Sequence, residues 1–319
     1  MMRRRALLPS LAGTFAVWPA VGFGQIALRT IGVLDPGDPG LYLGELRKTL
    51  SALGHVEGRN IRFEVRSGSN NLDALRRQAR ELADLKVDVI ATRLTPALSA
   101  AMETTKSIPI VMSAAGGPVE SGLITSLARP GGNVTGMSLG GTNLIGKRLQ
   151  LIREVVPHTR HVAMIAAGSN PYIDVMLSGT EQSGRELGIK VTAVRASASA
   201  QDLETRLAAV GEPIDAIHAM AGVPVEPLMA LANKLRLPVF PTQRIAVDAG
   251  ALLSYGGKLE EQYRGAAVYI DKILKGVQPR DLPVQEPARY ELVINLKAAR
   301  MLGIAIPAVL LTQADELIE

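Results

Sequence analysis

The sequence predicts an α/β protein made of two similar, doubly wound parallel-sheet lobes with a ligand cleft between them. Three observations carry that prediction. Short β-branched runs alternate with amphipathic helical stretches, the alternation restarts midway, and 319 residues exceed what one small core needs. Ile31–Leu34, Ile61–Val65, Val87–Thr92, Ile108–Ser113 and Val134–Ser138 read as strands. Between them, stretches such as Leu72–Leu85 place leucine and alanine at helical spacing. Continuously apolar strands belong in a parallel sheet covered on both faces.

The pattern begins again at His161–Ala167 and continues through Lys190–Val194, Ile214–Ala219 and Val239–Pro241. The halves correspond in detail. Asn71-Leu72-Asp73 leads a helix, followed by Val87-Asp88-Val89-Ile90 and Ile108-Pro109-Ile110-Val111. In the second half Gln201-Asp202-Leu203 leads a helix, followed by Ile214-Asp215-Ala216-Ile217 and Leu237-Pro238-Val239-Phe240. Such self-similarity predicts two copies of one βαβ lobe. Ligands of open parallel sheets bind beyond the carboxyl ends of the strands, so two facing lobes make a cleft the expected site. From Ala251 the repeat breaks into a strand at Leu252–Tyr255, a long helix at Lys258–Leu274 and an extended stretch with Pro279, Pro283 and Pro287.

The chain opens with Arg3, Arg4 and Arg5, then an uncharged run from Ala6 to Gly24 with small residues at Gly22 and Gly24. That is the pattern of an export signal, with cleavage expected near Gly24–Gln25. Pro9 and Pro19 interrupt the run and argue against a membrane anchor. Arg4-Arg5-Ala6-Leu7-Leu8 also admits twin-arginine export, although no Ser or Thr precedes the pair. The absence of cysteine leaves no disulfide framework and no lipid attachment site. A free periplasmic monomer with no membrane insertion after cleavage is the expectation. Without the signal arginines the net charge falls from +5 to +2, and no basic block remains. With aromatics at 3%, a nucleic-acid surface is excluded.

Several ordered blocks resemble a known family. They are Gly54–Ile61 (GHVEGRNI), Ala128–Gly136 (ARPGGNVTG), Ser254-Tyr255-Gly256, Tyr269–Gly276, Tyr290–Lys297 (YELVINLK) and Ala314–Glu319. The chain resembles the ABC-transporter substrate-binding family that includes the tryptophan-binding TrpX-like proteins. The resemblance implies a type I periplasmic binding fold, no catalysis, no cofactor, and a permease and an ATPase as partners. Characterised relatives take up aromatic amino acids, so an aromatic or branched amino acid or related acid is the implied ligand. It also implies that the segment after Ala251 recrosses between lobes. Residues 25–137 with 250–277 then form the first lobe, and 138–249 with 278–319 the second. One departure stands out. The family usually carries GDPV after the fourth strand, where this chain has Gly116-Gly117-Pro118-Val119.

Other motifs suggest other functions. Gly136-Met137-Ser138-Leu139-Gly140 fits the G-x-S-x-G elbow of hydrolases, but His158, His161 and His218 downstream show no local triad signature. A Ser138 hydrolase and a ligand-sensing subunit for a membrane kinase are the rival readings. Gly131–Gly136 lacks the lysine and hydroxyl of a P-loop, and no G-x-G-x-x-G follows the first strand. His158-x-x-His161 has zinc-like spacing without completing ligands, and reads as solvated at a helix-to-strand joint. Asp88 and Asp215 open corresponding strands, a symmetry that favours a structural role.

The cleft candidates come from strand ends. Thr95-Pro96 reads as N-cap and first residue of a helix whose N-terminus holds a ligand carboxylate, with Arg93 adding a bidentate contact. Leu94 lies between them. Asp35 and Tyr42 flank the first loop, and Ser113 and Ala114 the fourth strand's end. Asn170, Tyr172, Met220, Ala221 and Gln243 take the corresponding places in the second lobe, with Ser138 and Tyr255 on the crossings. No catalytic or metal-binding residue is expected.

Overall fold

Five parallel strands open the fold, β1 (Arg29–Asp35), β2 (Ile61–Ser67), β3 (Val89–Arg93), β4 (Ile110–Ala115) and β5 (Val134–Ser138), in the order β2-β1-β3-β4-β5. The structure is a computed structural model and describes residues 28–319 except 69–70, 142, 169, 171 and 197–198. The predicted export signal at residues 1–24 lies outside the described residues. Three helices connect the strands, α1 (Gly40–Ala52), α2 (Leu72–Asp84) and α3 (Leu94–Thr104). Side-chain alternation along β1 sends Ile31 and Val33 to the face packed by α1, and Leu34 to the face packed by α2 and α3. Both faces are therefore dry.

The second lobe repeats the plan. It contains α4 (Asn143–Val155), β6 (His161–Ala167), α5 (Ile173–Leu187), β7 (Lys190–Ala196), α6 (Ala200–Ala208), β8 (Ala216–Ala219), α7 (Val225–Leu235), β9 (Val239–Pro241) and α8 (Ile245–Asp248). Its sheet runs β7-β6-β8-β9, all parallel. In each lobe the strand order reverses beside the first strand, which leaves a crevice at the carboxyl ends of β1 and β3 and of β6 and β8.

The repeat extends to single residues. The Asp88 carboxylate accepts the Thr30 N–H at 2.7 Å, and that of Asp215 accepts the Arg160 and His161 N–H groups at 2.7 and 2.9 Å. Each ties the start of one strand to its neighbour, the structural role that their symmetry suggests. The helix leaders align differently from the sequence reading. Asn71 caps α2 and Ser199 caps α6, so the equivalent of Asn71 is Ser199, not Gln201. His158 is exposed, but His161 is buried between the Pro213 carbonyl and the Thr192 hydroxyl, each at 2.9 Å, and is not solvated.

The closing segment adds β10 (Leu253–Gly256), α9 (Leu259–Leu274), a short turn of 3-10 helix at Pro279–Asp281, β11 (Glu291–Asn295), α10 (Leu296–Leu302), α11 (Ala308–Gln313) and β12 (Glu316–Ile318). β10 pairs antiparallel with β11 and continues past β9, where the Leu252 N–H bonds the Val239 carbonyl at 2.9 Å. α9 instead packs on α1 and under β4 and β5. Gln285 bonds Gly136 and Ser138 along the edge of β5 at 3.0 and 2.8 Å. The return to the first lobe thus begins at α9, not at residue 250, and extends past 278 to Gln285. The expected boundaries move because β10 completes a sheet of the second lobe before the chain recrosses. Gly136 lets β5 approach closely, since a Cβ there would lie 2.2 Å from the Met112 carbonyl oxygen.

Candidate ligand-binding cleft

Left-handed backbone recurs at two non-glycine strand ends of the first lobe, Leu94 at φ +62° and Ala114 at φ +54°, besides Lys86 at φ +52° in the turn before β3. Each conformation costs on the order of 1–3 kcal/mol and persists only where surrounding packing imposes it. Leu94 and Ala114 both line one cleft between the lobes, which holds about 730 Å³ of empty space including its open mouth. The walls come from strand ends, with Pro36 after β1, Leu94 after β3, Ala114 at β4, Ala167 at β6, Met220 after β8 and Thr242 after β9. The crossing residues Leu139, Gly140 and Gly141 form one side. Met176, Met220, Leu94, Leu139 and Pro96 make the lining largely apolar.

One cation breaks that lining. Arg148 of α4 is 8% exposed and donates from Nε to the Tyr255 carbonyl at 2.9 Å. Among the described residues no carboxylate pairs with it, and burial pushes its guanidinium down to about 10. It still carries its charge at neutral pH. The hydroxyls of Tyr172 and Thr242, also in the lining, are buried without a hydrogen-bond partner among the described residues, as is Nε2 of His218. His218 Nδ1 lies 2.9 Å from the Phe240 carbonyl and therefore carries the proton, which makes Nε2 an acceptor. Burial, then the Arg148 charge, push His218 down to about 4 and keep it neutral. A buried guanidinium that shares a cleft with unsatisfied hydroxyls is costly alone and is stabilised by an anion.

The sequence-predicted residues divide. Leu94, Thr95, Ala114, Asn170, Tyr172, Met220 and Ala221 line the cleft. Thr95 is not the N-cap, because α3 starts at Leu94; its hydroxyl accepts the Gly116 N–H at 3.1 Å and ties the helix to the loop after β4. Arg93 turns from the cleft and forks onto Asp35. Tyr42 packs on the Tyr263 ring at 4.9 Å between centroids. Ser113 and Gln243 lie outside the lining, each with a buried polar atom lacking a partner among the described residues. Ser138 is fully buried, and its hydroxyl accepts the Gly140 N–H at 3.0 Å within the crossing. Tyr255 contributes its carbonyl to Arg148, while its ring packs 5.8 Å from that of Tyr290.

Sequence reading missed Arg148. Its signal was available in the helical pattern, because Arg148 lies four residues from Leu144 and four from Ile152, both buried. A charge on the apolar stripe of a helix calls for a partner, and here the stripe faces the cleft.

Comparison with known proteins gives a consistent picture. The ABC transporter substrate binding protein family matches residues 39–318. A curated relative, the tyrosine-binding protein of Clostridioides difficile, is 28% identical over 280 residues, covering 84% of this chain and 79% of the relative. A conserved domain protein from Vibrio cholerae superposes with a TM-score of 0.83 at 29% identity, covering 91% of this chain and 99% of its own. An ABC domain from Streptococcus pneumonia in complex with L-Trp superposes equally, TM-score 0.83, at 22% identity over 92% of this chain and all 100% of its own. Neighbours in fold are type I periplasmic binding proteins. With its two crossed α/β lobes and matching residues over nearly the whole described length, the chain belongs to the family of ABC transporter substrate-binding proteins.

Proposed function

We propose that the protein captures a small carboxylate, an aromatic or branched amino acid or a related acid, and presents it to the permease and ATPase of an importer by closing its lobes. The observation that carries this reading is Arg148, a buried cation without a carboxylate partner among the described residues, in a largely apolar cleft. Arginine recognises carboxylates through a planar fork, and the methionine and leucine walls suit an apolar side chain. The relatives named for tyrosine and bound to L-Trp support the amino-acid class. Among the described residues no helix is long and apolar enough to cross a membrane. We place the mature protein in the periplasm as a monomer, starting near Gln25, which intact mass spectrometry of the periplasmic fraction tests.

A thermal-shift screen with aromatic amino acids, branched amino acids and aryl carboxylates tests the ligand class. At about 100 times its dissociation constant, a true ligand stabilises by about 2.7 kcal/mol. Shifts produced only by sugars or polyamines would refute the carboxylate reading.

A further inference from the structure

Tyr172 stands at the start of α5, on the loop that follows β6 in the second lobe, and its N–H bonds the Asn170 side chain at 3.0 Å. A tyrosine on such a loop is ordinarily half exposed, yet this one is 1% exposed. Ile145, Met176 and Met220 of its own lobe pack the side chain, and the loop after β4 of the first lobe covers its tip. A Cβ placed at Gly116 would meet the Tyr172 ring at 3.7 Å, and one at Gly117 would lie only 1.6 Å from the hydroxyl oxygen. Gly117 is also in left-handed backbone, at φ +45°. The loop after β4 thus forms a notch that fits the tip of this tyrosine because Gly117 has no side chain.

The polar groups of the notch are already used. The Gly117 N–H donates to the Gly140 carbonyl at 3.1 Å, and the Gly117 carbonyl accepts the Ser121 N–H and hydroxyl at 3.0 and 2.9 Å. The Tyr172 hydroxyl receives nothing from them and, among the described residues, stays without a partner in the cleft lining. A buried hydroxyl in that state is unfavourable until a ligand completes it.

We propose that Tyr172 couples ligand capture to lobe closure and selects the ligand, seating its tip in the Gly117 notch and bonding the ligand through its hydroxyl. The hydroxyl half of this proposal rests on the carboxylate-capture reading above; the notch half does not. Residues in contact show non-additive effects on substitution, and that property makes the proposal testable. Gly117→Ala fills the notch, holds the lobes apart and weakens binding by about tenfold or more, the scale of coupling between contacting residues. In a Tyr172→Ala background the same change costs little further. Tyr172→Phe retains closure but loses several-fold in affinity.

The experiment has two arms. Calorimetric titration of the wild type, Gly117→Ala, Tyr172→Ala, Tyr172→Phe and the double variant with L-tyrosine and L-tryptophan gives the cycle, and small-angle scattering reports contraction. An equal penalty for Gly117→Ala in both backgrounds overturns the proposal, because the glycine would then matter only for its own backbone. The second arm needs no ligand. The chain lacks cysteine, so a Gly116→Cys/Tyr172→Cys variant treated with a short bismaleimide reports only this pair. Intramolecular cross-linking is expected, and its absence overturns the notch. Failure of the wild type to bind either amino acid, with cross-linking intact, refutes the amino-acid reading and leaves the notch standing.

Discussion

Arg93 lays its guanidinium fork on Asp35, with Nε 2.5 Å from Oδ2 and Nη2 2.7 Å from Oδ1. Asp35 is fully buried at the end of β1 and also accepts the Gly37 N–H at 2.7 Å. Burial works against the charged guanidinium, but the hydrogen bonds and charge of Asp35 outweigh it and hold the Arg93 pKa above its ordinary value. A residue expected to meet the ligand instead holds the mouth of the first lobe in shape.

Arg93→Ala is therefore a stability mutation. It leaves the Asp35 carboxylate buried and unpaired, which costs about 3–5 kcal/mol. Urea denaturation measures the loss. Ligand affinity of the protein that remains folded changes little, and a large affinity loss with unchanged stability would return Arg93 to the ligand. Replacing both partners by leucine and methionine recovers most of the stability.

Arg148→Met separates binding from folding in the opposite sense. Removing a buried cation that has no carboxylate partner among the described residues leaves the stability of the unliganded protein unchanged or raises it. Carboxylate affinity falls by about 1.5–3 kcal/mol, the scale of hydrogen bonds to charged groups. Arg148→Lys restores only part of it, because an ammonium lacks the planar fork. Titration calorimetry on the three proteins decides; equal affinities would place the head group elsewhere in the cleft.

His218 makes stability depend on pH. Its pKa is depressed to about 4 in the folded protein from 6.5, so between these values the unfolded chain binds a proton that the folded one does not. The contribution is complete above the unfolded value and is lost as pH falls toward 4, by about 3 kcal/mol in all. Denaturation of wild type and His218→Asn across this window should show a shallower slope in the variant. An anion on Arg148 lessens the repulsion, so bound ligand should also flatten the wild-type slope. Parallel slopes with and without the histidine would contradict this account.

Ser138→Ala tests the hydrolase motif. The hydroxyl holds the Gly140 N–H inside the crossing, so its loss costs about 1 kcal/mol of stability. Hydrolysis of p-nitrophenyl acetate should be the same for both proteins. A drop confined to the variant would revive the nucleophile.

The two-lobed α/β plan was legible because hydrophobic periodicity is local. Val87–Thr92 and Ile214–Ala219 declare themselves as strands, observed at Val89–Arg93 and Ala216–Ala219, and the restart at His161 declares the second lobe. Asp88 and Asp215 could be paired from the repeat alone. The crossing points were less legible, since Leu253–Gly256 has the same apolar character whether it closes one sheet or the other.

What the sequence by itself determined is the set of strand ends, and with them Leu94, Ala114, Tyr172 and Met220 at the cleft. Only the tertiary structure decided which charge faces inward. Arg93 and Arg148 are both arginines at cleft-facing elements. The first has a carboxylate within reach because β1 and β3 lie side by side, and the second, among the described residues, reaches only the backbone carbonyl of Tyr255 on β10. The fate of a charge depends on the nearest opposite charge, and Asp35 stands 58 residues from Arg93 in sequence yet in hydrogen-bond contact in space.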